Sequence, residues 1–290
     1  MDAGGLDHGK EHSFTSFDGT LIAYEVHAPD LLGRSPAVPR APNRPVVLHH
    51  GFASDSFTNW VRPGVAAALT AAGRLVVAVD ARGHGRSGKP HEPSAYACDA
   101  MVLDLRRLVD ILACSSIDLV GYSMGAYVAL GYALADRRLA RLVLAGAGAT
   151  SPSGRTTAGG PGPDQEEIAA ALETNDPTTI SSSRARAFRG FAEATGADRR
   201  ALAAVQRAVS PPRSLHELAA ISVPTLVLNG VDDTLAGPPD VLARAISSAR
   251  WARVPGNHLS AVTKPEFARE VVDFLATAGS GDPTPEPPPA

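Results

Sequence analysis

A mostly parallel β-sheet covered by helices on both faces, with a helical insertion late in the chain, is the α/β architecture that this sequence predicts. Three observations carry it. Short β-branched runs alternate with helical patterns through most of the 290 residues, and the runs are apolar on both faces, as the strands of a covered parallel sheet must be. The alternation stops between Gly148 and Leu218 and then resumes. Residues 121–125 read Gly-Tyr-Ser-Met-Gly between an apolar strand-like run and an apolar helical run, the pattern of a sharp strand-to-helix turn.

Taken in order, residues 1–11 carry Asp2, Asp7, Lys10 and Glu11 and no apolar stretch of signal-peptide length, and read as a flexible N-terminus. His12–Phe17 and Leu21–His27 flank Asp18-Gly19, whose tolerance of positive φ predicts a tight hairpin at a sheet edge. The proline-rich segment 30–44 predicts an enlarged surface loop. Strands are predicted at Val46–His49, Leu75–Val79, Ile117–Gly121, Leu139–Ala145, Thr225–Asn229 and Ala249–Val254.

Over Cys98–Leu112 the residues Met101, Leu105, Leu108 and Leu112 recur at spacings of three or four, with Asp104, Arg106, Arg107 and Asp110 on the other faces, which predicts an amphipathic helix. Ala126–Leu134 predicts the helix that follows the sharp turn. The stretch 148–218 opens on a Gly/Ser/Pro-rich loop and continues through helical patterns around Gln165–Glu173, Ser181–Ala194 and Arg199–Val209, so it reads as a cap or lid. Its only aromatics, Phe188 and Phe191, leave any pocket ceiling mostly aliphatic or polar. Gly279–Ala290, rich in Pro and Gly, cannot bury a core and reads as a disordered tail. The predicted organisation is therefore an N-terminus 1–11, a core in two parts, 12–147 and 219–278, a helical cap 148–218 between them, and a tail 279–290.

With 44% hydrophobic residues the chain can bury one large core. Its net charge of −3, with both signs interspersed, excludes the phosphate-neutralising surface of a nucleic-acid binder. No run reaches transmembrane length, so no membrane partner and a cytoplasmic location are expected. Cys98 and Cys114 are too far apart for a zinc or redox pair and read as free thiols. The apolar pattern assigns no subunit interface, and the oligomeric state stays open.

The chemistry centres on Ser123. A strained turn between strand and helix needs neighbours almost free of side chain, and Gly121 and Gly125 supply them. The result is a serine hydroxyl projecting from a sheet edge beside a helix N-terminus whose free N–H groups favour negative charge. A serine hydroxyl is a weak nucleophile at neutral pH, so it needs a base and a third group to orient that base. After Thr225–Asn229 the chain places Asp232 and Asp233 at the carboxyl end of a parallel strand, where the sites of open α/β sheets gather. After Val254, Pro-Gly-Asn-His puts His258 at the same edge. Serine, then acid, then histidine is the chain order of one triad-bearing architecture.

On these residues the chain resembles the α/β-hydrolase superfamily over roughly 12–277, and further motifs agree. His49-His50-Gly51-Phe52 resembles the family's His-Gly turn, Asp80-Ala81-Arg82-Gly83-His84-Gly85-Arg86-Ser87 its Asp-x-Arg-Gly-x-Gly-x-Ser loop, and Pro224 to Asp233 its acid-bearing strand. The resemblance implies Ser123 as nucleophile, His258 as general base and acid, and Asp233 as the orienting acid, since the family's acid usually stands third after the glycine; Asp232 is the alternative. It also implies an oxyanion hole from the backbone N–H groups of Phe52 and Met124, and no metal or organic cofactor.

Adjacent His49 and His50 point to opposite faces of a strand end and do not make a metal site. His84 and Arg82 read as braces for their loop, and Asp80 as a structural carboxylate. Phe52, Trp60, Tyr122, Met124, Leu235 and Leu259 are the candidate pocket lining, with plain core as the competing reading. The expected activity is a serine hydrolase acting on a carboxylic ester, lactone or thioester of a small to medium organic substrate. A C–C bond hydrolase of a diketone-like substrate, a cofactor-free perhydrolase and a non-catalytic ligand-binding protein are the alternatives. Serine at the nucleophile position disfavours haloalkane dehalogenase and typical epoxide hydrolase chemistry.

Overall fold

The computed structural model describes residues 11–29, 44–148, 162–208 and 214–276. In order, the described strands and α-helices are β1 (Glu11–Thr15), β2 (Leu21–His27), β3 (Val46–His49), α1 (Val65–Ala71), β4 (Val76–Val79), α2 (Ala100–Ile111), β5 (Ile117–Tyr122), α3 (Met124–Ala135) and β6 (Leu139–Ala145). They continue with α4 (Pro163–Glu173), α5 (Ser183–Ala194), α6 (Arg199–Arg207), α7 (Leu215–Leu218), β7 (Thr225–Gly230), α8 (Pro239–Ala245), β8 (Ala249–Val254) and α9 (Pro265–Ala276). The strands form one sheet in the order β1-β2-β4-β3-β5-β6-β7-β8. The β1/β2 and β2/β4 pairs are antiparallel and all others parallel, so the architecture is the predicted one.

The two-residue period of a strand sorts the side chains into two cores. Val47, Val77, Leu119, Leu142 and Val227 face α2, α3 and α8. Their neighbours Val46, Leu48, Val76, Ala78, Val120, Val143 and Leu226 face the other way, onto α1 and α9. Uninterrupted apolar strands are thus buried on both faces.

The hairpin turns where Asp18-Gly19 predicts it, with Gly19 at φ +87°. β1 begins at Glu11, one residue inside the segment read as the N-terminus. Residues 1–10, most of the 30–44 loop, the start of the 148–218 segment and the 279–290 tail lie outside the described residues. The 98–112 helix begins later than its periodicity predicts, because Cys98 and Asp99 both hold positive φ and cannot lie within a right-handed helix. Asp104 also departs from its predicted polar face. It is buried, accepting from Arg82 Nε at 2.7 Å and from the Ser16 hydroxyl, so a charge inside the helix–sheet contact is paired rather than solvated.

Between β6 and β7, α4, α5 and α6 pack on one another around Ile168, Leu172, Ala185, Ala192 and Leu202. Ala53, from the loop after β3, belongs to the same apolar cluster, so this helical insertion sits against the carboxyl edge of the sheet. Among the described residues no helix is long and apolar enough to cross a membrane.

Candidate active site

β5 ends at Tyr122 and α3 starts at Met124, leaving Ser123 alone to make the turn, at φ +52° and ψ −113°. Such a conformation costs a non-glycine residue about 1–3 kcal/mol and persists only where its surroundings enforce it. Here β5 and α3 are pressed against each other and against β3. A Cβ on Gly121 would stand 2.3 Å from the Gly125 carbonyl oxygen, and one on Gly125 would stand 2.1 Å from the His49 carbonyl oxygen. Only glycine fits either place, which explains why the motif spaces its glycines around the serine.

The turn aims the Ser123 hydroxyl at His258, with Oγ 2.9 Å from Nε2. On the far side of the ring, Nδ1 lies 2.9 and 3.1 Å from the two carboxylate oxygens of Asp233. An ionised carboxylate only accepts, so Nδ1 carries the proton and Nε2 presents its lone pair to the serine O–H. Asp233 Oδ1 also accepts from the Leu235 and Ala236 N–H groups, each at 3.0 Å. Burial alone would raise this carboxyl, but the His258 contact and the two N–H donors outweigh it and hold it below the usual carboxylate range. The Tyr122 hydroxyl donates to the His258 carbonyl at 2.7 Å and fixes the histidine loop from beneath. Asp232 is exposed, and its backbone N–H, not its carboxylate, ties it to the Gly256 carbonyl at 3.1 Å.

The loop after β3 runs against the elbow: a Cβ on Gly51 would lie 3.4 Å from Ser123 Cβ. In this loop the Gly51 N–H donates to Asn59 Oδ1 at 3.0 Å and the Ser54 N–H to the Gly51 carbonyl at 3.3 Å. The Phe52 N–H between them finds no acceptor among the described residues. Met124 is the first residue of α3, so its N–H has no intrahelical acceptor either. Two uncommitted N–H groups therefore flank the serine.

His50 braces the loop after β3. Its Nε2 accepts from the Ala81 N–H at 2.9 Å, which leaves Nδ1 to donate to the Gly51 carbonyl at 2.8 Å. Asp80 joins the same two loops by accepting from the Ser56 and Arg86 N–H groups at 2.8 and 2.9 Å. Arg82 binds Asp104, Asp18 and the Ala95 carbonyl, and His84 Nδ1 donates to the Arg82 carbonyl at 2.9 Å. Burial, with the neighbouring His50, depresses His49 and His84 to about 3, so both stay neutral at physiological pH. Among the described residues no His/Cys/Asp/Glu group is arranged to hold a metal ion.

The pocket residues divide. Phe52 is half-buried, its ring edge-on to His84 and to Phe188 of α5. Met124 packs beside Ala81, Tyr96 and Met101 under α6. Leu235 stands next to the acid and is partly covered. Trp60 and Tyr122 are corrections: both are core, 0% and 5% exposed, stacked edge-on beneath the site. Leu259, next to His258, is 52% exposed. Asn59 and His50, which shape the loop bearing the Phe52 N–H, are polar residues beside a motif, and no local pattern marks their partners.

The family model for the alpha/beta hydrolase fold matches residues 44–190. The chain belongs to this family. This alpha/beta hydrolase is 29% identical over 275 residues to a monoacylglycerol lipase of Mycolicibacterium smegmatis, covering 88% of its own length and 92% of the relative's. A shorter likeness, 39% over 88 residues, spans 30% of the chain and 24% of an epoxide hydrolase B of Mycobacterium tuberculosis. Among solved structures, a hydrolase from Pseudomonas aeruginosa superposes with a TM-score of 0.71 at 27% identity, over 93% of this alpha/beta hydrolase and 100% of that chain.

Proposed function

We propose that the protein is a serine hydrolase that cleaves a carboxylic ester, lactone or thioester of a small to medium organic substrate through an acyl-enzyme. The observation that carries this reading is the continuous relay from Ser123 Oγ through the His258 ring to the Asp233 carboxylate, each link at 2.9 Å. Ser123 Oγ attacks the substrate carbonyl while its proton passes to His258 Nε2, and the imidazolium formed is stabilised by Asp233. The carbonyl oxygen becomes an oxyanion in reach of the Phe52 and Met124 N–H groups, donors typically worth about a hundred- to thousand-fold each in rate. Collapse of the tetrahedral species returns the proton to the leaving alcohol. Water, activated by the same histidine, then releases the acid.

The lipase named above supports ester cleavage along most of the chain. The epoxide hydrolase likeness covers too little of either protein to carry its chemistry across. The nucleophile also argues against it. Opening an epoxide with a serine oxygen would leave an ether on the enzyme, which water does not cleave, whereas acylation leaves an ester, which it does.

The test is turnover of an acyl-length series of p-nitrophenyl esters by the protein and by Ser123→Ala. Hydrolysis lost in the variant supports the proposal, and the length profile reads the depth of the acyl site. Equal hydrolysis by both proteins sinks it. Side-by-side assays on a vinylogous diketone and on peroxide with a carboxylic acid separate ester cleavage from the C–C hydrolase and perhydrolase readings.

A further inference from the structure

Ala53, directly after Phe52, sits at φ +60° without being glycine. A left-handed alanine needs outside contacts to hold it. The Ala53 residue is fully buried, and its carbonyl accepts from Thr195 Oγ1 at 3.0 Å, at the end of α5 and 142 residues away in sequence. That hydroxyl has a single hydrogen and also lies 3.0 and 3.2 Å from the Phe191 and Ala192 carbonyls. Those two already accept from the Thr195 and Ala197 N–H groups, at 3.0 and 2.9 Å. The Ala53 carbonyl has no other donor among the described residues, so the hydroxyl hydrogen is needed there. Seven residues earlier, two turns along the same helix face, Phe188 sets its ring edge-on against Phe52, with centroids 5.6 Å apart. One stripe of α5 thus holds both the Phe52 ring and the turn that follows it.

We propose that Thr195 is a positioning residue for the oxyanion-binding N–H of Phe52: its bond to the Ala53 carbonyl lets the helical insertion hold that N–H in aim at the reacting carbonyl. The proposal rests on the ester-hydrolysis reading above. It makes the seating of α5 a condition for catalysis and not only for substrate enclosure.

The experiment compares Thr195→Val, which keeps the shape and loses the donor, with Thr195→Ser, which keeps the donor. Four quantities are read: kcat, KM, the affinity of an alkyl boronic acid that adds to Ser123 as a tetrahedral adduct, and the thermal midpoint. For T195V the expected result is a fall in kcat of about ten-fold with KM within about two-fold, part of the loss that removing a whole oxyanion donor brings. Boronate affinity should fall by the same factor, and T195S should keep kcat within about two-fold of the parent. A T195V protein with parental kcat and boronate affinity overturns the proposal, as does a T195S protein that loses as much as T195V. If T195V does not fold, Thr195→Cys, similar in volume with a weak S–H donor, is read in its place against the same outcomes. Ser123→Ala is run alongside: turnover that survives there overturns the ester-hydrolysis reading, whereas turnover lost there but untouched in T195V overturns only the role of Thr195.

Discussion

At the amino ends of the central strands Asp118 is completely buried between Arg44 and Arg74, whereas at their carboxyl ends Ser123 and Ala53 are held at positive φ beside two N–H groups that find no acceptor among the described residues. The amino end pairs its charges and ties down the last helix: Arg74 and Arg141 both donate to the Leu275 carbonyl, at 3.3 and 2.8 Å. The carboxyl end also pairs charges, Arg82 with Asp104 and Arg86 with Asp80, but it adds strain in the backbone and buries His49 and His84 in the neutral form. The two ends of one sheet therefore differ in backbone strain and in how they hold their buried polar groups, and they should respond differently to substitution.

The largest effect is expected at the reactive end. Asp233→Asn should lower kcat/KM by about a thousand- to ten-thousand-fold by disturbing the tautomer and charge balance of His258. Asp232→Asn, on the exposed neighbour, should change it less than about two-fold. Equal losses from both would erase the distinction between the two aspartates.

Next in size is the opposite end. Asp118→Ala leaves the buried Arg74 and the partly buried Arg44 guanidinium groups short of this partner and should cost about 3–5 kcal/mol in urea unfolding, while kcat of the folded protein stays within about two-fold. A comparable fall in kcat would show that the two ends are coupled.

A third prediction uses pH. Burial holds His49 and His84 at about 3, below the 6.5 of an exposed histidine, so the unfolded chain takes up protons that the folded one refuses. Their stability contribution is intact above the unfolded value and is lost as pH falls from there toward 3. Each histidine should remove about 1.4 kcal/mol per pH unit, or about 2 kcal/mol by pH 5. Asp233 adds a loss in the same direction only lower still, as pH falls through its folded value below the ordinary 3.8. In His84→Gln the slope of unfolding free energy between pH 4 and 6 should shrink by one histidine; an unchanged slope would mean that His84 is protonated in the folded state. The smallest effect is at the surface, where Leu259→Ser should alter stability by less than about 0.5 kcal/mol. A ten-fold rise in KM there would place Leu259 on the substrate path.

Most of this comparison was legible at one end only. The strands, the elbow and the placing of Ser123, Asp233 and His258 are each legible from a short local signal: a two-residue period, a pair of obligatory glycines, a loop directly after a strand. Neither the Asp118–Arg74 pair nor the Asp104–Arg82 pair is legible, since a charge on a periodic helix or at a strand start looks solvated until its partner is known. Trp60 and Tyr122 were drawn toward the pocket by their closeness to motifs, although aromatic bulk beneath an elbow serves equally well as support. Thr195 and Ala53 are separated by 142 residues. No window of sequence contains that bond.

The measurement closest to the central claim is intact-mass and peptide mapping after reaction with a fluorophosphonate, on the parent protein and on His258→Gln. A single phosphonyl adduct is expected on the peptide carrying Ser123, with labelling slowed by at least about a thousand-fold in the variant. Labelling elsewhere, or none while ester hydrolysis proceeds, would contradict an activated Ser123.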